Sequence, residues 1–260
     1  MLKLLCLFVL SLFTQTVAAQ HIYITTGEWP PYMDSKAEDK GCVARLIRDA
    51  SAVSGAQVHF VFMPWERAYF EGLKNEYIGS AYWYYSAERA EAYHYTRNPI
   101  TMESSYYYYL KEQPPKLDDL NGLVGHTLIL TKGLTYPVAL LDLIETKHIN
   151  VVESTYTSKN FPLLLAGRGN VTILTQDTAQ NYLEQLSAAE RARLVQHPEP
   201  AFTMAGYLLV NHHNLNYAAL FDYGLSHILA DPIYYTNYQT SCPPLPLKAP
   251  PVIEARPFYH

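Results

Sequence analysis

Apolar positions along this chain follow two spacings, and the switches between them predict its elements. The run His21–Thr26 is rich in β-branched and aromatic residues and reads as a strand. Gly27-Glu28-Trp29-Pro30-Pro31-Tyr32 ends it, because each proline forces the residue before it out of the helical region. Val43, Leu46, Ile47, Ala50 and Val53 fall on one face of a helix with charged residues between them, and Gly55 stops it. Val58–Met63 reads as a second strand, Pro64-Trp65 opens a helix to about Leu73, and Ile78–Tyr85 reads as a third strand. This β-α-β-α-β opening predicts a mostly parallel sheet flanked by helices.

The pattern then restarts. Tyr106–Leu110 is a strand, followed by the proline-bearing connection Glu112–Lys116. The second set holds strands at Thr127–Leu130, Asn150–Val152 and Val171–Leu174. Its helices are Pro137–Glu145, Phe161–Ala166, Thr178–Leu186 and Ala188–Val195. Gly206–Val210 returns as a strand, Leu215–Leu229 is an amphipathic helix, and the proline-rich stretch Cys242–Pro257 is expected to lie extended on the surface. Two α/β sets with two crossings predict two lobes: residues 20–107 with 208–260 in the first, and 108–207 in the second. Ligands of open α/β sheets bind outside the carboxyl ends of strands. Two such edges facing each other make a cleft that hinge closure buries.

The N-terminus changes the setting. Lys3 precedes the apolar run Leu4–Phe13, and Val17-Ala18-Ala19 supplies small residues. That is the layout of a secretory signal peptide over residues 1–19, with the mature chain starting near Gln20. The run is short of the roughly 20 apolar residues a bilayer span needs. The alternative is a buried N-terminal helix. Export means an oxidising compartment. Cys42 and Cys242 remain after cleavage, and they either form a disulfide or stay as two buried thiols. A net charge of −5 without a basic run argues against a nucleic-acid partner. Among 23 tyrosines, many fall between Tyr69 and Tyr109. They suit a partly wet cleft or, equally, sheet packing. No metal set or cofactor motif stands out; His212-His213 are adjacent and read as loop or cap residues.

Several short stretches, taken in order, resemble the family-3 bacterial solute-binding proteins that serve ABC importers. They are Trp29-Pro30-Pro31-Tyr32, Gly41, Pro64-Trp65-Glu66-Arg67-Ala68, the stretch Tyr82–Arg89 (YWYYSAER), Asn98-Pro99-Ile100, Asp119–Gly122, Gly133-Leu134-Thr135-Tyr136-Pro137 and Leu165–Arg168. The resemblance implies a two-lobed periplasmic-binding-protein fold of the α/β class, with two hinge strands. It also implies a monomer in the periplasm that captures a small carboxylate-bearing ligand, such as an amino acid, for an ABC permease, and no catalysis. In the family an Arg three residues after a small hydroxyl residue grips the ligand carboxylate. Arg89 and Ser86 match, and the planar guanidinium offers two parallel bonds. Helix capping is the other reading of Ser86.

Thr135 matches the hydroxyl residue of the second lobe. It is expected in a loop before a helix, either near N–H groups that favour an anion or as a plain cap. Trp29 matches an aromatic that stacks on the ligand. Tyr32, Trp65, Tyr82 and Trp83 are expected on the same cavity, with core packing the alternative for Trp65. Tyr82 and Tyr84 stand where polar amino-acid binders carry small residues, which favours a ligand with an aromatic, cationic or planar part. Asn170 replaces the usual Asp of the second lobe, and Thr175 holds the place of the acid that meets an ammonium. Asp177 is the substitute candidate, or else a helix cap. Two other readings stay open. A dehydratase-like enzyme on this scaffold needs a buried acid with a shifted pKa, for which Glu28, Glu66 and Asp177 are placed. A ligand sensor would signal to a separate membrane receptor.

Overall fold

The computed structural model describes residues 20–240, 242 and 254–258, so the expected leader lies outside them. The first part of the chain gives β1 (Gln20–Thr26), α1 (Cys42–Ala52), β2 (Ala56–Phe62), α2 (Trp65–Glu71), β3 (Gly79–Tyr84), α3 (Ala87–Ala92) and β4 (Tyr93–Tyr95). The long β5 (Thr101–Leu110) follows. Next come β6 (Leu128–Thr131), β7 (Thr135–Pro137), α4 (Val138–Thr146), β8 (Val151–Ser154), α5 (Asn160–Leu165), β9 (Val171–Thr175), α6 (Gln176–Glu184) and α7 (Ala188–Arg191). The longest strand, β10 (Leu194–Asn211), leads to α8 (Leu215–Leu229), α9 (Pro232–Gln239) and β11 (Ala255–Pro257).

Among the described residues the main sheet runs in the order β2-β1-β3-β10-β5-β9-β6-β8, with β4 on β10. β1 is parallel to β2 and β3, and β6 is parallel to β8 and β9. These are the two parallel halves that the repeated β-α-β pattern calls for. β10 and β5 run antiparallel between them. The late residues of β10 pair with β3 and the early ones with β5, so both strands cross from one lobe to the other.

Each lobe has its own core. The first packs α1 and α8 on the sheet through Leu46, Ile47, Phe221 and Leu225. In the second, Leu128 and Leu130 face one layer and Ile129 the other, as strand alternation requires. Cys42, at the start of α1, is disulfide-bonded to Cys242.

Three expectations change. The helix over Ala188–Val195 stops at Arg191, because Leu194 and Val195 pair with Leu110 and Tyr109. Strand Gly206–Val210 extends back to Leu194; His197-Pro198-Glu199-Pro200 reads as a break, but the prolines fall where the β5 register shifts and no ladder donor is needed. The tail is not only a surface segment of the first lobe. β11 pairs with β7, and Phe258 is buried in the second core against Tyr136. Helix α9 is an addition that local chemistry explains: the Asp231 side chain accepts from Ile233 N at 2.9 Å, with Pro232 in the first turn.

Candidate functional site

The loop after β1 and the ends of β3 and α2 build one wall of a cleft from aromatic rings. Trp29 meets Trp65 edge-on at 6.2 Å, and Trp65 meets Trp83 edge-on at 4.9 Å. The Trp65 ring lies so close to Gly27 that a Cβ there would come within 2.3 Å of it. Trp65 Nε1 donates to Glu28 O at 3.3 Å and Trp83 Nε1 to Ser80 Oγ at 2.8 Å, so their polar edges are satisfied. Tyr82 and Tyr84 stand beside them on β3, with buried hydroxyls that make no well-aligned hydrogen bond. The opposite wall comes from the second lobe: Leu134, Thr135, Tyr136, Ile173 and Phe202. Ser105 of β5 joins the lining. The space between the walls is about 30 Å³, room for a water or two rather than a solute.

At one end of this cleft sits Arg89, fully buried at 0% exposure. Ser86 starts α3 by accepting from Arg89 N at 3.2 Å, which aims the side chain across the seam. The guanidinium lies 4.3 Å from the Trp83 ring centre and 5.4 Å from that of Tyr69. It donates to Gly133 O at 2.7 Å and to the Thr135 hydroxyl, both in the second lobe. Nε has no described acceptor. Thr135 lies in β7 rather than in a loop before a helix, because β11 pairs with it through Pro257. Gly133 has φ +80°, and a Cβ there would meet Glu66 N at 2.6 Å, so only glycine allows the lobes to come this close. Lys132 and Glu66 pair across the same seam at 3.3 Å.

Behind the aromatic wall, bound to Trp29, is a group that the sequence reading missed. Glu103 lies on β5 and is 3% exposed. Its Oε2 accepts from Trp29 Nε1 at 2.9 Å, and the Tyr82, Tyr84 and Thr101 hydroxyls lie close enough to stabilise the carboxylate, although none makes a well-aligned bond to Oε1. Burial pushes its carboxyl up to about 7, and the Trp29 bond and the nearby Tyr82 and Thr101 hydroxyls offset only part of that. Burial and the adjacent Glu103 likewise hold the Tyr82 and Tyr84 phenols well above the ordinary value. The signal was available: continued backward from Tyr106, strand alternation puts Thr101, Glu103 and Ser105 on one inward face.

Tyr32 bridges the lobes differently, donating its hydroxyl to Asp177. Asp177 is exposed and lies inside the first turn of α6, which begins at Gln176; the cap position is Thr175. Asn170 accepts from Thr127 N at 2.7 Å, a local strand tie. Glu28 accepts from Ser35 N at 3.2 Å. His212 and His213 form a short turn between β10 and α8. Among the described residues no group of three His, Cys, Asp or Glu is placed to hold a metal ion, and no helix is long and apolar enough to cross a membrane.

No protein-family model and no curated protein matches this sequence. Solved structures match in fold. A histidine kinase sensor domain with similarity to periplasmic binding proteins aligns with a TM-score of 0.74 at 16% identity, covering 86% of this chain and 96% of that one. An ancestral arginine-binding protein bound to arginine aligns with a TM-score of 0.73 at 15% identity, covering 86% and 99%. The GluR0 ligand-binding core from Nostoc punctiforme, in complex with L-glutamate, gives 0.68 at 14% identity, covering 85% and 98%. At such identities the likeness shows the fold, which is that of the two-lobed periplasmic-binding proteins.

Proposed function

We propose that this protein is an extracytoplasmic solute receptor that captures a small carboxylate-bearing ligand, an amino acid or a close relative, between its lobes and hands it to an ABC importer. The observation that carries this reading is Arg89. It is a permanent cation, completely buried at the seam, and no described residue supplies it with an anion. Burying an ion costs several kcal/mol, on the order of what a well-placed counter-ion recovers. A ligand carboxylate offsets that penalty through two parallel charge-assisted bonds. The present partners, Thr135 and Gly133, are neutral and belong to the second lobe. A carboxylate entering the fork separates them from Arg89 and then touches both lobes. Only such differential contact shifts a two-state equilibrium toward closure.

The remaining residues take supporting parts. Ser86 orients Arg89 through the cap. Trp29, Trp65, Tyr82, Trp83 and Tyr84 enclose the apolar part of the solute. Tyr32 and Asp177 latch the rim. The expected N-terminal leader supports a location outside the cytoplasm. The sensor-domain neighbour favours a second reading, in which the loaded lobes signal to a separate membrane receptor.

The test is a thermal-shift screen of residues 20–260 against amino acids, amines, organic acids and small peptides. Ligand at about 100-fold over its dissociation constant adds roughly 2.7 kcal/mol. Carboxylates should raise the midpoint, and Arg89→Ala should lose the shift while keeping its circular dichroism. Unchanged affinity in Arg89→Ala sinks the clamp. Uptake of the identified solute, measured with and without the gene, separates importer from sensor.

A further inference from the structure

Phe258, near the end of the chain, does not line the cleft, yet it holds the loop that faces Arg89. Its N–H donates to Leu134 O at 2.8 Å, and its carbonyl accepts from Gly133 N at 2.8 Å. The peptide group between Gly133 and Leu134 lies between those two bonds. Its oxygen, Gly133 O, is the one that accepts from Arg89 at 2.7 Å. Fixing the N–H before a planar peptide group and the C=O after it fixes the direction of the carbonyl between them. The bracket matters because glycine at φ +80° supplies little stiffness of its own.

The grip continues along the loop. Thr135 stands opposite Pro257, Tyr136 opposite Arg256 and Pro137 opposite Ala255, and Val138 N donates to Glu254 O at 2.9 Å. Among the described residues β11 is the only strand partner of β7. The tail is itself anchored. The Phe258 ring is 3% exposed and meets Tyr136 edge-on at 6.1 Å. Arg256 pairs with Asp142 and Glu145 of α4 at 3.1 and 2.6 Å. β11 also lies against α3, the helix that carries Arg89. The tail sets out from the first lobe, where Cys242 is bonded to Cys42, and ends in the core of the second. A binding group is only as well placed as the residues behind it, and here those residues are the last turn of the chain.

We propose that Phe258 is a positioning residue for solute capture: through β11 it sets the Gly133 carbonyl and the Thr135 hydroxyl at the seam, so the affinity of the cleft depends on a side chain that never touches the solute. The inference rests on the reading of Arg89 as a carboxylate clamp, and it adds the element that shapes the second-lobe half of that clamp.

The experiment is titration calorimetry on residues 20–260 with the standard amino acids, acetate and 3-phenylpropanoate as probes. Four variants run beside the wild type: Phe258→Ala, Phe258→Leu, Ile149→Ala and Arg89→Ala. A probe that binds the wild type should bind Phe258→Ala at least about tenfold more weakly, since a displacement near 1 Å is enough for such a loss. Phe258→Leu keeps an apolar anchor and should retain most of the affinity. Ile149 lies in the same core but outside β7 and β11, so Ile149→Ala should lower the melting temperature and leave the affinity unchanged. A second readout needs no variant. In hydrogen exchange of the wild type, a bound probe should slow the amides of residues 254–258 together with those of 133–138. This readout decides alone if Phe258→Ala does not fold. Wild-type affinity in Phe258→Ala, an equal loss in Ile149→Ala, or protection of the loop without the tail overturns the positioning role and leaves the Arg89 reading standing. Unchanged affinity in Arg89→Ala, or a panel in which nothing binds the wild type, overturns both.

Discussion

Two buried charges of opposite sign border the cleft in opposite conditions: Arg89, bonded to the second lobe, and Glu103, bonded to Trp29. Arg89 is surrounded by acceptors from the far lobe and by two aromatic rings. Glu103 accepts from the Trp29 indole and has the Tyr82, Tyr84 and Thr101 hydroxyls around it. The Arg89 site shows what contact between the lobes itself provides: the Gly133 carbonyl from the loop before β7 and the Thr135 hydroxyl from the first residue of β7. The Glu103 site shows what that contact does not provide: no described element of the second lobe brings a positive charge to it. The contrast separates two kinds of support. One charge is held by contacts that cross between the lobes, and the other by contacts from the first lobe and the crossing strand β5.

Three measurements break or sharpen this contrast. The largest effect belongs to Arg89→Ala. Each hydrogen bond to a charged group contributes about 1.5–3 kcal/mol, so losing both cross-seam bonds should swing the lobes open. Small-angle scattering should then report a larger radius of gyration than the wild type; identical curves would mean that Lys132–Glu66 and Tyr32–Asp177 hold the seam by themselves.

Glu103→Gln comes next. The carboxyl sits at about 7 in the folded protein against the ordinary 4.5. A carboxyl raised on folding holds its proton more tightly in the native state, so its contribution is complete below about pH 4.5 and lost as the pH rises through 7. The difference corresponds to about 3 kcal/mol. Unfolding free energies from urea titrations should fall between pH 5 and pH 8 by about 2.5 kcal/mol more in the wild type than in Glu103→Gln, and parallel profiles would show that Glu103 is not buried as described. The smallest effect is that of Thr135→Val. Gly133 O still holds the other guanidinium nitrogen, so the loss is about 1.5 kcal/mol and shows as a modest drop in melting temperature with the scattering curve almost unchanged. A drop as large as that of Arg89→Ala would shift the credit from the guanidinium to the hydroxyl.

The sequence made much of this legible. Arg89, Ser86 and Thr135 stand in short motifs whose order carries the fold, and the helical spacing of Val43–Val53 and strand runs such as His21–Thr26 needed no tertiary knowledge. Glu103 was hidden because β5 was read only from its apolar end at Tyr106; the inward face continues through Thr101 and Glu103, where polar residues disguise it. The early part of β10 was hidden for the opposite reason. Its prolines mark a break by local rules, yet they fall where the partner strand slips register. The cap alternative for Asp177 failed because α6 starts at Gln176, two residues earlier than the apolar spacing suggests, which makes Thr175 the cap and carries the acid into the first turn.

Strand β11 has a practical side. It covers the free backbone edge of β7, the segment that carries Thr135, and Phe258 seals the end against Tyr136. Bare strand edges are templates for other chains. Trimming residues 255–258 for tidiness would therefore give the second lobe an adhesive border beside its binding loop, and a fluorescent reporter attached there would pull on that border. The exposed outer face of α8, around Tyr223, is the safer handle for turning this protein into a biosensor.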